Sequence, residues 1–142
     1  MSVITDIAEA VKDELNAHTF SQEFEAVRLY QPLFELPGMK TLHVTVVPQG
    51  VDMQVSARTL VQHDYGIDVA VQKKFEADDP VELDPLMALV DEIIDFFRLR
   101  RLSTVPVAIW TKTENKPVYS QEHMQQFRQF TSVITLTFRV LR

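Results

Sequence analysis

Residues 130–142 read FTSVITLTFRVLR, with Ile134, Leu136, Phe138 and Val140 alternating against Val133, Thr135, Thr137 and Arg139. Period two puts one set on each side of an extended chain. One side is then apolar and the other carries mostly hydroxyls and a guanidinium. A strand of this kind cannot sit in a doubly covered parallel sheet, whose strands are apolar on both sides. HDYGIDVAVQKKF has the same pattern: Tyr65, Ile67, Val69 and Val71 oppose Asp64, Gly66, Asp68, Ala70 and Gln72. The chain must therefore build a sheet with one apolar face, and something in it must cover that face.

Two stretches supply the cover. Ile4, Ile7, Ala8, Val11 and Leu15 recur at helical spacing, with Asp6, Glu9, Lys12 and Asp13 on the outer face, which predicts an amphipathic helix to about Ala17. Ser2 or Thr5 can cap it. Further on, Leu86, Met87, Val90, Ile93, Ile94 and Phe97 trace a second stripe. Asp84-Pro85 reads as the start of that helix, cap followed by first-turn proline. Arg98, Arg100 and Arg101 would close it, cations meeting the negative end of the dipole.

The remaining elements are shorter. FEAVRLYQPLF reads as an edge strand to about Tyr30, interrupted by Pro32. Pro37-Gly38 marks a turn. TLHVTVVPQG alternates until Pro48 and Gly50, which should end the strand. Residues 51–62 read as an excursion with some strand content. EADDPVELDP is an acidic linker, residues 107–111 a short strand, Glu114-Asn115-Lys116-Pro117 a loop, and Ser120 onward one or two helical turns. This order predicts a single α+β domain over residues 1–142: an antiparallel or mixed sheet with two main helices packed on one face.

Composition narrows the function classes. With no cysteine, disulfides and thiolate chemistry are excluded, and the fold must hold by packing. No apolar run approaches the length of a membrane span. The N-terminal stretch carries carboxylates where a signal peptide has lysines, so it reads as a mature cytosolic start. A net charge of −6 opposes broad phosphate binding, which argues against sequence-specific nucleic-acid recognition.

No motif carries catalysis. His18, His43, His63 and His123 show no metal-ligand spacing. Asp64 and Asp68 share a strand face, but their Cα atoms would be roughly 13 Å apart, too far for an acid/base couple. Asp78, Asp79, Glu82 and Asp84 read as solvated, with no glycine of a calcium loop. There is no G-x-S-x-G elbow, and glycines at 38, 50 and 66 make no phosphate cradle. Catalytic, cofactor and metal residues are expected to be none. Arg98, Arg100 and Arg101 can instead anchor carboxylates of a neighbouring copy, with Asp64, Asp68 or the acidic run 76–84 as partner.

Taken together, VVPQG, HDYGIDVAVQKKF, LMALVDEIIDFFRLRRL and FTSVITLTFRVLR resemble the tail-completion or tail-terminator proteins of long-tailed phages and prophages. The resemblance follows element order over most of the chain and is weakest over residues 51–62 and 103–123. It implies a non-enzymatic structural protein with no cofactor, assembled with itself as a ring, typically a hexamer, on the end of the tail tube. Such a ring stops tube growth and presents a surface to the head–neck connector protein. DNA would pass through only in transit, and no membrane would be involved. The implied location is the virion, assembled in the bacterial host cytoplasm. Within that frame Thr135 and Arg139, with Asp64, Asp68 and the three arginines, are the expected subunit or partner contacts. Two other readings compete: another neck component such as a head-closure or connector protein, and a small cytosolic enzyme or ligand-binding module.

Overall fold

Ser2 begins the first helix as its cap, its Oγ accepting the Thr5 amide at 3.3 Å while the Thr5 hydroxyl donates to the Ser2 carbonyl at 2.9 Å. In the computed structural model, which describes residues 2–32, 40–76 and 80–142, this helix is α1, Val3–Ala17. It buries Ile7, Ala8, Ala10, Val11 and Leu15. Near its end the Asn16 amide clips the first strand, β1 (Ala26–Arg28): Nδ2 donates to the Ala26 carbonyl at 3.1 Å and Oδ1 accepts the Ala26 amide at 2.7 Å. An ion pair between Arg28 and Glu9 at 2.5 Å ties the same two elements at their surface.

The sheet continues with β2 (His43–Ala57) and β3 (Leu60–Lys74), a hairpin of two 15-residue strands. Strand β2 runs through Pro48 and Gly50 where the sequence predicts a stop, so the expected excursion at 51–62 is its second half, the turn at 58–59 and the start of β3. The physical reason lies in the edge. The Leu29 amide bonds to the Val46 carbonyl, so the Val46 peptide groups point outward, away from β3. By alternation those of Pro48 do too, and its missing N–H falls on the open side. A register shift between Pro48 and Gly50 absorbs one residue, and the ladder resumes.

Helix α2 spans Pro80–Phe97, its first-turn proline five residues before the Pro85 that Asp84-Pro85 suggested. Pro80 takes the first-turn position where a missing amide costs nothing, and Pro85 is carried inside the helix. The burial of Leu86, Leu89, Val90, Ile93 and Phe97 offsets what Pro85 removes. The helix ends at Phe97, and Leu99 turns left-handed (φ 59°). The three arginines therefore follow the last turn instead of forming it.

Strand β4 (Ile109–Glu114) lies slightly later than expected, because residues 105–108 form a turn closed by the Ala108 amide on the Val105 carbonyl. A short helix α3 (Gln121–Phe127), capped by Ser120, leads into β5 (Gln129–Leu141). The expected turn at Pro37-Gly38 and the acids Asp78 and Asp79 lie outside the described residues.

The sheet order is β1-β2-β3-β5-β4, with β1 parallel to β2 and every other pairing antiparallel. It is the α+β, mixed-sheet arrangement the patterns predict. One buried cluster joins α1 and α2 to a single face of the strands, through Val44, Val46, Tyr65, Ile67, Val69 and Val71 and their β5 counterparts. The opposite face is buried at Thr45, Ala70 and Gln72 and more open around Asp64, Asp68 and Arg139, as is the far half of the hairpin.

Candidate functional site

On that opposite face the central strands place polar residues in cross-strand rows. Asp64 is opposite Arg139 and Asp68 opposite Thr135. Arg139 grips Asp64 with both ends of its fork, Nε to Oδ1 at 2.9 Å and Nη2 to Oδ2 at 3.3 Å. Gln62 Nε2 adds a third bond to Asp64 Oδ2 at 3.1 Å. The Arg139 guanidinium, against some opposition from burial, holds the Asp64 carboxyl below its ordinary range. The Thr135 hydroxyl donates to Asp68 Oδ1 at 2.7 Å. Burial pushes the Asp68 carboxyl up, and the Thr135 bond only partly counters it.

Between these rows the sheet is pared to backbone. Gly50, Gly66 and Thr137 are ladder partners across three strands, and Lys112 of β4 continues the row. The result is a groove of about 500 Å³ walled by Gln49, Asp52, Asp64, Lys112 and Arg139. A Cβ on Gly66 would come within 2.3 Å of Gln49 Oε1, so the glycine makes room for that side chain to lie across the sheet. Charges of both signs rim the groove: Asp64 in its wall is already bound by Arg139, while Asp52 is exposed. Such a surface can recognise a partner of mixed charge.

The two aspartates titrate in opposite senses. A lowered carboxyl stabilises the fold at pH above its unfolded value, and that contribution is lost as pH falls through the folded one. A raised carboxyl does the reverse: its ionised form costs stability at neutral pH, and the cost vanishes below the unfolded value. Asp68→Asn, which keeps the acceptor for Thr135, should therefore raise Tm at neutral pH and bring no gain at about pH 3. Equal gains at both pH values in a thermal melt would refute the burial assigned to Asp68.

The arginines lie elsewhere. Arg100 binds Glu14 of α1, Nη2 to Oε2 at 2.9 Å and Nε at 3.2 Å, and its guanidinium lies over the Phe96 ring at 3.9 Å. Arg98 and Arg101 are exposed. Arg101 bridges Ile109, itself the ladder partner of Arg139, so the arginine turn abuts the sheet row that holds the Asp64 pair. Within one chain, then, Asp64 meets Arg139 and Asp68 meets Thr135, while Arg100 is taken by Glu14.

The four histidines have ordinary surroundings. His18 packs on Phe20 and Phe96, His63 lies over Tyr65 with Nδ1 3.2 Å from the Val61 carbonyl, His43 is near Thr41, and His123 near Thr131. Among the described residues no three His, Cys, Asp or Glu side chains come together as metal ligands. No described helix is long and apolar enough to cross a membrane.

Sequence reasoning missed the exposed apolar side of the hairpin arm. Val51, Met53 and Val55 are 53%, 57% and 80% exposed. Their alternation with Asp52, Gln54 and Ser56 was the available signal, hidden by the expected stop at Pro48.

No protein-family model and no curated protein matches the sequence. Among solved structures the chain is similar to the sheath/tube terminator, in its extended state, of an extracellular contractile injection system, PVC. The two share 14% identity with a TM-score of 0.49, and the match covers 100% of this chain and 57% of that one. The chain thus spans less than two thirds of the length of that structure.

Proposed function

We propose that the chain is a non-enzymatic structural protein that assembles with itself into a ring, typically of six, on the end of a phage or prophage tail tube. There it ends tube polymerisation and offers a surface to the head–neck connector. The observation that carries this reading is the groove face: Asp64 and Asp68 are bound to Arg139 and Thr135, while Asp52 and Lys112 stand exposed at the groove, a charged, shaped surface suited to recognition. The sequence resemblance to tail-terminator proteins supplies the partners. Exposed Arg98 and Arg101 are available to acids of a neighbouring copy, and the Asp64–Arg139 and Asp68–Thr135 rows belong to the contact face.

The structure changes how the contact residues should be tested. Removing Arg139 strips Asp64 of its main partner, so Arg139→Ala mixes a folding defect with any assembly defect. Arg98→Ala with Arg101→Ala leaves the described ion pairs untouched and is the cleaner pair. The decisive experiment is native mass spectrometry of the chain alone and with tube protein, alongside tube lengths in electron micrographs. A closed ring and arrested tubes are expected. A chain that stays monomeric with tube present, and leaves tube length unchanged, would overturn the reading. So would turnover of a substrate abolished by changing one buried acid or histidine.

A further inference from the structure

Strand β2 has a long outer edge that, among the described residues, no strand covers beyond β1. On its outer side β1 pairs with residues 44–46, and the Leu29 amide closes that contact on the Val46 carbonyl. From residue 48 to 57 no described strand lies on the outer side. The direction of the peptide groups there follows from β3. The Arg142 amide bonds to the Val61 carbonyl, so Val61 points toward β5, and by alternation His63 and Tyr65 do as well. Their ladder partners in β2 are Val55, Met53 and Val51. These three therefore sit at non-hydrogen-bonded positions of the hairpin, with their N–H and C=O groups turned outward.

An edge of this sort is normally blunted by lysine, proline or a very short strand. Residues 51–57 contain neither lysine nor proline, and their apolar members are more than half exposed. At the other end of the sheet, β4 has its own open side. Only Ile109 is bridged there, by Arg101, and residues 110–114 face no described strand.

The two edges match in three respects. First, each step from β2 through β3 and β5 to β4 is antiparallel, so β4 runs antiparallel to β2, and a second copy set alongside would extend the same ladder. Second, Val51, Met53 and Val55 share the helix-covered side of the sheet with Trp110, through their partners Tyr65, His63 and Phe138. Third, Asp52 and Lys112 share the groove side, with opposite charge. Lys112 also pairs with Glu114, but a pair this exposed is readily exchanged.

We propose that the outer edge of β2, residues 51–57, pairs through its backbone with the outer edge of β4, residues 110–114, of a second copy of this chain. The contact is head-to-tail, so repetition closes a ring when the rotation allows. The inference rests on the ring reading for its biological setting and makes a narrower claim, about which surfaces meet.

The test is hydrogen exchange of the full-length chain at low and high concentration, with and without tube protein, read beside the oligomer mass. Slowed exchange at both 51–57 and 110–114, appearing with oligomer formation, is the expected result. Met53→Pro removes an outward N–H and no hairpin bond, so it should keep the far-ultraviolet spectrum and lose the oligomer. Should that variant misfold, Asp52→Lys or Lys112→Glu alone should weaken assembly and the two together restore it. An oligomer without protection at these edges overturns the inference and leaves the ring reading standing. Protected edges in an open dimer or fibre uphold it and overturn the ring. Protection of 51–57 alone, on adding tube protein, assigns the edge to the tube and overturns pairing between copies. A monomer under every condition overturns both.

Discussion

Phe138→Ala should lower the unfolding free energy by about 3–5 kcal/mol, the usual cost of deleting a buried phenyl group. Phe138 is fully buried on the helix-covered side of β5, with Tyr65 and Trp110 as its ladder partners. Its ring belongs to the cluster that joins the sheet to α1 and α2, so truncation opens a cavity that rigid strands on both sides cannot close. Domains of this size are commonly stable by about 5–15 kcal/mol, so the loss takes a large share. In urea the midpoint should fall with little change in slope, and Tm should drop by on the order of 10 °C. A cost under about 1 kcal/mol would mean that the ring does not lie between sheet and helices.

Glu14→Ala should cost about 1–3 kcal/mol at neutral pH, because it leaves several polar partners unmatched. Glu14 gathers Arg100 Nε and Nη2 at 3.2 and 2.9 Å on one oxygen. The Ser103 amide and hydroxyl reach its other oxygen at 3.2 and 3.3 Å. It thereby fixes the turn after α2 against α1. Burial pushes the Glu14 carboxyl up, but the Arg100 and Ser103 bonds outweigh it and hold the carboxyl below its ordinary range. A lowered carboxyl contributes stability above the unfolded value and loses it as pH falls through the folded one. The gap between wild type and variant should therefore narrow in acid. Denaturant melts across that range test it, and a gap independent of pH would assign the effect to packing alone.

Glu14 also marks where reading the chain stops. Seven residues after Ile7 it falls beside the buried stripe of α1, but nothing local names its partner, which lies 86 residues away, past the end of α2. Arg98, Arg100 and Arg101 form one cluster in sequence, yet only Arg100 is drawn into an intrachain pair among the described residues. The Asp64–Arg139 and Asp68–Thr135 rows combine residues whose faces were legible and whose register was not, because alternation names a side of the sheet and says nothing of the residue opposite. Helix α2 shows a milder limit. Asp84-Pro85 has the chemistry of a helix start, and so has Pro80; local chemistry does not rank the two, and the helix takes the earlier one.

What the residues determined by themselves is the set of faces. Period-two and period-3.6 patterns in the strands and helices dictated which side of each element must leave water, because burial is favourable in proportion to apolar area and local alternation fixes the side that carries it. The α+β class follows from that. What only the tertiary structure decided is the edges: β1 pairs with β2 at residues 44–46, so Pro48 is tolerated and no described strand lies beside the outer edge of residues 51–57. Whether a strand has a neighbour depends on the length and placement of distant segments, and no local pattern encodes it.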